Sequence, residues 1–455
     1  MPSYGFGTYG LGAFGVGGSP SVSRVTLECL VEWGSFAAGT LAIAADDADT
    51  ESGSIAADDA DVAAGVMLAN DSISTFAGTY DDISAMVDTV RIESGRDALL
   101  LAMLGGTATI TGRDPAALFN YANAASPIAA TIDDRMHPVQ IRLARAGVWR
   151  SRFYGLTRRV TWSPSGRKGT FQIECVDLFY WLARAKPIIV GFGPTTTGAA
   201  IGLVLDTVRW LDPDARVLDV GDTIPDFYAD GSKTALEVIG ELLDAERGVF
   251  YMDGDGRAIY EDRHARLLRA SEASLVDRMT HLEPEVDFDL IRNRVRVSRL
   301  DPATGEIAYT AEAVDSDSVE RIGYADADPL ETLYLESDAQ ADDLAAWMLP
   351  LVVEATGPIR DFAIDGRDDD LVDAILDLNL VDRLTLAESA GGSAGDFHVE
   401  RHELTVGPGG RLSASYLLSK ASVYTPLLIA EDDADTTSGS IATDDADVAA
   451  GTLVY

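Results

Sequence analysis

The sequence lacks the features that mark several large classes of protein. Two of its 455 residues are cysteines, Cys29 and Cys175, too few for a disulfide framework, so we expect buried free thiols. The start, MPSYGFGTYG, has no basic segment followed by an apolar one, so no secretory signal is expected. The longest apolar run, Ala98 to Leu104, is too short to span a bilayer. These absences predict folding in a reducing cytoplasm and no membrane anchor.

Basic residues are also scarce relative to acidic ones. The chain has 35 Lys and Arg against 74 Asp and Glu, which gives a formal net charge of −39 at pH 7. Nucleic-acid binding needs clustered Lys and Arg to neutralise phosphates, so specific binding of this kind is not expected. The 47% apolar fraction excludes global disorder. The charge suits a self-repelling soluble surface or a channel wall that repels anions.

The chain is repetitive near both ends. Tyr4 to Gly18 alternates aromatic or apolar residues with glycine, a pattern that favours neither a helix nor an isolated strand. We expect this arm to dock on another subunit. An acidic cassette occurs twice, as IAADDADTESGSIAADDADVAAG at Ile43 to Gly65 and IAEDDADTTSGSIATDDADVAAG at Ile429 to Gly451. Near-identity predicts that both copies form the same water-exposed β-hairpin.

The cassettes also contain the metal candidates of the sequence. Alternating acidic residues place Asp47 and Asp49 in one copy and Asp433 and Asp435 in the other. Clustered oxygen ligands suit calcium. However, the glycine is the seventh residue counted from Asp47, where an EF-hand loop has it at the sixth, and flanking helices are not predicted. The alternative interpretation is that both cassettes are solvated hairpins that bind no metal. No cofactor is expected.

Between the cassettes, strand patterns surround a mixed segment. Val25 to Trp33 alternates apolar and polar residues as a half-buried strand does, and Glu93 to Arg96 reads as a turn. Further on, Ala235 to Ala245 predicts a helix capped by Ser232 or Thr234, followed by a hairpin that turns at Asp253 to Gly256. The fold class predicted is therefore α+β, with strands dominant.

The order of these segments resembles that of the tail hub, or minor tail, proteins of long-tailed bacteriophages. The resemblance is carried by seven consecutive pieces, which include TYDDISAMVDTVRIESGRD, FQIECVDLFYWLAR, ALEVIGELLDAERGVFYMDGDGRAIYEDR, IRNRVRVSR and GDFHVERHELTV. The first cassette departs from the family pattern, because it lies where the family usually has a short turn.

The resemblance implies two tube-like β-barrel domains with an α+β middle domain between them. The predicted organisation is a Gly/aromatic arm at 1–21, a first barrel at 22–186 with the cassette at 43–65 inserted, a middle domain at 187–290, a second barrel at 291–426 and the terminal cassette at 427–455. Ile291 to Arg299 would begin the second barrel. Such a protein is expected to form trimers.

The sequence gives weaker support for a catalytic function than for the resemblance described above. In HVERH, His398 and His402 flank a glutamate, but a zinc protease needs His-Glu-x-x-His on a helix. Residues four apart on a strand lie roughly 13 Å apart, too far to share a metal. Gly231-Ser232-Lys233-Thr234 lacks the upstream glycine of a P-loop, and no Gly-x-Ser-x-Gly elbow occurs. Both histidines are expected to be structural, and no catalytic residue is assigned.

The resemblance implies a structural hub at the virion tail tip, assembled in the host cytoplasm. It would close the tail tube, contact distal tail or tube proteins above and central fibre or tip proteins below, and open for DNA passage. The alternative function is a receptor-binding, adhesin-like surface protein whose cassettes bind calcium or glycans. A cell-wall hydrolase is a third class, for which no residues are nominated.

Overall fold

The computed structural model describes residues 24–31, 81–97, 102–114, 116–123, 126, 136–165, 168–210, 215–266, 269–286, 288–353, 356–389 and 393–421. The Gly/aromatic arm, both cassettes and the four aspartates considered as calcium ligands, Asp47, Asp49, Asp433 and Asp435, lie outside these residues. The described part confirms the predicted α+β, strand-dominated fold class.

Seven strands come from the N-terminal part of the chain. They are β1 (Thr26–Val31), β2 (Asp81–Asp82), β3 (Val87–Gly95), β4 (Leu104–Asp114), β5 (Pro138–Arg145), β6 (Val148–Ser165) and β7 (Lys168–Val176). In β1 the predicted alternation places Cys29 and Val31 in the core. β6 and β7 pair as an antiparallel hairpin.

The middle of the chain alternates short strands and helices. These are α1 (Phe179–Leu182), β8 (Ile188–Phe192), β9 (Thr195–Thr196), α2 (Thr197–Thr207), β10 (Arg216–Leu218), β11 (Thr223–Ile224), β12 (Phe227–Asp230), α3 (Ala235–Glu246), β13 (Val249–Met252) and β14 (Ala258–Glu261). Thr234, rather than Ser232, caps α3 and forms a capping box with Glu237. The predicted helix and hairpin are both present.

The C-terminal part contains the remaining elements. They are β15 (Ser271–Val276), β16 (His281–Val286), β17 (Arg294–Leu300), β18 (Ile307–Val314), α4 (Ser316–Ile322), β19 (Leu330–Thr332), α5 (Asp338–Val353), β20 (Thr356–Asp365), α6 (Asp369–Asp377), β21 (Arg383–Glu388), β22 (Ser393–Gly407) and β23 (Arg411–Lys420). The strand predicted to begin the second barrel, β17, instead pairs with β18 and β19 in a separate sheet. The reason is packing, because Val295 and Val297 lie in a second core with Leu344 and Met348 of α5.

One 13-stranded sheet joins the two strand-rich segments. Its order is β16-β20-β23-β22-β3-β4-β7-β6-β5-β1-β2, with β21 paired to β22 and β15 paired to β21. Among the strands that the structure describes, this path does not close into a barrel. The finding differs from two independent closed barrels, because strands of the two segments pair directly with each other. The domain boundaries given above stay predictions.

The two segments meet where β3 pairs with β22, from Val90 opposite Val406 to Gly95 opposite Arg401. The predicted turn at Glu93 to Arg96 is wrong, because β3 stays extended through Gly95. At Gly95 φ is +127°, and a Cβ atom would lie 2.3 Å from the carbonyl oxygen of Glu400. Glycine is required at position 95 because β22 approaches closely there, and not because the chain turns.

Candidate assembly surface

Strand β22 changes neighbours at Glu400. Its residues up to His398 pair with β21, and its residues from Arg401 onward pair with β3. The register with β23 shifts between Val399 and Arg401, so Glu400 is the extra residue of a β-bulge. The bulge therefore marks the point at which the two segments of the large sheet are joined.

A buried ionic network surrounds this bulge. Glu400 is 1% exposed, and its carboxylate accepts hydrogen bonds from Arg96 Nε at 2.6 Å and from Arg266 Nη1 at 2.7 Å. The hydroxyl of Ser419 on β23 also donates to it. Burial alone would raise the pKa of the Glu400 carboxyl, but the two guanidinium groups outweigh burial and hold that pKa well below its usual range. The network ties β3, β22, β23 and the segment after β14 together.

A second set of contacts links the β5–β6 hairpin to α6. Arg145 Nη1 lies 2.8 Å from a carboxylate oxygen of Asp373, and Arg150 Nε lies 2.6 Å from one of Asp377. Arg152 is buried and donates at 2.7 Å to the carbonyl oxygen of Ile375, in the last turn of α6. A cation at a helix C-terminus is favoured by the helix dipole and by the unpaired carbonyls there. The two segments are thus held together at more than one place.

One buried carboxyl holds the middle segment together. Glu246 at the end of α3 accepts hydrogen bonds from Thr197 Oγ1 at 3.1 Å and from the Asp222 backbone N–H at 2.8 Å. Burial, with the nearby charge of Asp222, raises the pKa of Glu246 to about 7, although Arg263 acts in the opposite direction. Glu246 therefore links α2, α3 and the loop before β11, and it titrates close to neutral pH.

A cavity of about 260 Å³ lies where both sheet segments meet the β13–β14 hairpin. Several charged groups in its wall form ion pairs. Arg257 Nε is 2.7 Å from Asp253 Oδ2, and Arg269 Nη1 is 3.3 Å from Asp382 Oδ1. Arg269 Nη2 also lies 2.7 Å from Glu261 Oε1 of β14, so Arg269 connects the hairpin to the C-terminal segment at the cavity wall.

The most exposed apolar face lies on the β8–β12 pair. Alternate residues of a strand share a face, and on β8 Ile188 is 70% and Val190 is 89% exposed. Tyr228 on β12 is 51% exposed, whereas its neighbours Phe227 and Ala229 are buried. Contiguous exposed apolar side chains mark interaction surfaces more often than they mark free surface. This face is a candidate interaction surface.

The two histidines singled out in the sequence lie inside β22. His398 is buried with Nδ1 3.3 Å from the carbonyl oxygen of Val381, and His402 Nε2 lies 3.3 Å from Ser94 Oγ. Burial lowers the pKa of each to about 3, so both are neutral at physiological pH. Within the described ranges, no group of three His, Cys, Asp or Glu residues could hold a metal ion.

Both cysteines are buried and free, as the sequence predicted. Burial raises the pKa of Cys29 and of Cys175, which keeps both as unreactive thiols. In the described part of the chain, none of the helices has the length and apolar character needed to cross a membrane.

The fold has clear relatives among solved structures. No protein-family model and no curated protein sequence matches the chain. The tail protein from Neisseria meningitidis MC58 is similar with a TM-score of 0.54 and 11% identity, over 77% of this chain and 96% of that chain. The 43 kDa tail protein of prophage MuSo2 from Shewanella oneidensis has a TM-score of 0.54 and 12% identity, over 76% of this chain and 97% of that chain. The chain has a phage tail protein fold.

This likeness confirms a phage tail protein fold, and the hub role and the long-tailed class stay predictions. The residues that hold the fold together were less visible in the sequence. In the sequence His398-Val399-Glu400-Arg401-His402, the two histidines resemble part of a metal-binding motif. The glutamate between them is instead the buried charged residue of the junction. Glu400 lies in the period-two phase of the buried residues Leu404 and Val406 of β22. This position was the available signal, since ionisable residues are rarely buried without a partner.

Proposed function

We propose that this chain is a structural hub protein at the tip of a bacteriophage tail, of the long-tailed class that its sequence resembles. Three copies form a ring that closes the tail tube. The ring contacts distal tail or tube proteins on one side and central fibre or tip proteins on the other, and it opens when DNA passes. Its place is the virion tail tip, after assembly in the host cytoplasm, and no catalytic residue is assigned.

The main support is the single sheet that runs through both strand-rich segments. A ring closes only if each subunit holds its neighbours at a constant angle. The buried Glu400 network and the arginine contacts with α6 fix the two segments relative to each other. In the proposed ring, each segment contributes one tube-like wall, so three chains supply six walls to match a hexameric tube.

The charge of the chain supports a role in DNA passage. With a net charge of −39, a wall built from this protein repels the phosphates of DNA at short range. A lumen that passes DNA must not retain it, and repulsion keeps contacts transient. Partners of such a hub are proteins of the same tail, and no specific nucleic-acid binding is proposed.

Solution mass tests the proposal. Mass photometry of the purified full chain at micromolar concentration is expected to show a dominant trimer. A clean monomer over the whole accessible concentration range would contradict the hub and favour an adhesin-like surface protein. A dimer would also contradict it, because two copies cannot supply the six walls of the ring.

A further inference from the structure

The outer face of the β8–β12 pair is apolar and exposed. In this two-stranded sheet, Phe227 and Ala229 of β12 lie in the main core. The opposite face carries Ile188 and Val190 of β8 and Tyr228 of β12, all of them exposed. We call these three side chains the β8 face. Among the described strands, β8 has β12 as its single neighbour, so the backbone on its other edge is also open to a further segment.

The β8 face differs from other exposed apolar positions because its strand lies in an uncharged part of the sequence. Of all residues in the chain, 24% are charged, yet 187–205, which contains β8, has no Asp, Glu, Lys or Arg. Val220, Phe288 and Ile307 are also exposed, but each directly follows an acidic residue. Scattered apolar side chains among charged ones are ordinary protein surface. The β8 face is therefore suited to an apolar, uncharged occupant.

The Gly/aromatic arm has the composition that such a face requires. Residues 1–23 form the longest stretch of the sequence without Asp, Glu, Lys or Arg, and 187–205 is the second longest. Within each five-residue unit of the arm, two apolar residues lie two positions apart, as Tyr4 and Phe6 do. In an extended chain such residues share one face, and the glycine between them leaves the other face bare. An arm of this kind gains free energy when its apolar face is removed from water.

The arm joins the fold at one end of the large sheet. Val25 follows the uncharged stretch closely, and its backbone N–H donates to the carbonyl oxygen of Gly410 at 3.1 Å, in the turn between β22 and β23. From Arg401 to Gly407, where the turn begins, β22 runs roughly 20 Å. The arm therefore leaves from the end of the sheet that is remote from Arg401.

The β8 face belongs to the segment that leaves from the other end of the sheet. β8 follows α1, and Phe179 of α1 lies beside Gly105 at the start of β4. The start of β4 pairs with Gly95, which in turn pairs with Arg401 of β22. Within one subunit, the arm and the β8 face are thus attached at opposite ends of the same sheet.

We propose that the Gly/aromatic arm of one subunit lies on the β8 face of the next subunit in the ring. Contacts around a three-fold ring are head to tail and join two different surfaces of the chain, which the arm and the β8 face are. An extended stretch of 23 residues reaches at most about 80 Å. A compact chain of this size is on the order of 60 Å wide, so the arm can reach its neighbour. The inference rests on the proposed function, because it assumes the ring of three.

Disulfide capture between two differently tagged full-length chains tests the inference. One chain carries Val190→Cys on the β8 face. The other carries one thiol in the arm, and a variant is made for each five-residue unit: Phe6→Cys, Leu11→Cys and Val16→Cys. The native cysteines are buried, so they do not compete for the introduced thiols. The matched control replaces Val190→Cys by Val276→Cys, at an exposed position of β15.

Mild oxidation of the co-expressed trimer should link at least one arm position to the thiol of Val190→Cys. The yield should be at least about tenfold above that with Val276→Cys, because docking raises the effective concentration of the two thiols. A trimer in which no arm position links above the control overturns the inference. A link that forms only within single chains, in a variant that carries both thiols, also overturns it. A monomeric wild type contradicts the proposed function itself.

Thiol accessibility gives an independent readout in the full-length chain. Maleimide labelling of Val190→Cys should become at least about tenfold faster when the arm loses its aromatic side chains, because the arm protects this position. The variant replaces four residues by serine: Tyr4, Phe6, Tyr9 and Phe14. Labelling of Val276→Cys should not change, and the circular dichroism spectrum should stay that of the wild type. Equal labelling of Val190→Cys with and without the aromatic side chains overturns the inference.

Discussion

Arg96 Nε lies 2.6 Å from Glu400 Oε2, although 304 positions separate the two residues in the chain. Arg266 binds the same carboxylate from a third segment. Both cations are buried together with the acid, so one carboxylate compensates charge on two guanidinium groups. Removing one member of a buried ionic network leaves uncompensated charge and is more damaging than the net value of the pair.

Glu400→Gln should therefore destabilise the protein by about 3–5 kcal/mol in chemical denaturation, because it removes the buried carboxylate charge that both guanidinium groups bind. Glu403→Gln is the matched control on the same strand, since Glu403 pairs with Arg91 at 2.7 Å on the exposed surface. The control should cost less than about 1 kcal/mol. Similar losses for the two variants would show that the buried network does not hold the junction.

Glu246→Gln should change how stability depends on pH. The pKa of Glu246 is raised to about 7 in the folded chain, above an unfolded value of about 4.3. The folded state therefore binds the proton more tightly, and the wild type loses stability as pH rises from the lower value to the upper one. The Gln side chain can still accept from Thr197 and Asp222, without the charge.

Measured from pH 4.5 to 8, the unfolding free energy of the Gln variant relative to wild type should increase up to about pH 7 and then stay level. A difference that does not vary with pH would show that Glu246 is not the titrating group. Glu400 does not confound this window, because its lowered pKa means that its contribution is lost only as the solution becomes strongly acidic.

Val190→Lys should weaken the trimer without weakening the fold. Val190 is 89% exposed on β8, so the charge is solvated in an isolated subunit and buried if this face is a ring contact. The expected result in mass photometry is a shift from trimer to monomer with an unchanged thermal midpoint. Val276→Lys, on the exposed side of β15, is the control and should stay trimeric. A trimer in both variants would show that the contact between subunits lies on another surface.

The cassettes allow a direct test for calcium. If the aspartates are solvated and bind no metal, titration with millimolar calcium should give neither heat in calorimetry nor a thermal shift. A shift that disappears in the double variant Asp47→Ala with Asp433→Ala would contradict this reading and establish a calcium site. These residues lie outside the described part of the structure, so the test rests on the sequence alone.

Local patterns predicted local elements well. The helix capped at Thr234 and the hairpin around Asp253 are present because capping and turn chemistry act within a few residues. The pairing of β3 with β22 was not predictable, because nothing local encodes a partner hundreds of residues away. Gly95 shows the difficulty. The sequence predicts a turn at this glycine, but glycine is required there because β22 approaches closely.

The same limit applies to the candidate surfaces. The sequence does not mark Ile188 and Val190 as exposed. Only the fold shows that both side chains lie on an exposed face of β8. The separate sheet of β17, β18 and β19 was also not predictable, because β17 has the period-two pattern of any half-buried strand. Which sheet a strand joins is decided by packing with α5, and that information is spread over the whole segment.

Electron microscopy of the purified full chain tests the central claim most directly. Two-dimensional class averages should show a closed ring of three subunits, with six similar wall segments on the inside. Averages that show single compact particles, or open chains of subunits, would contradict the proposal that this protein is the hub of a phage tail.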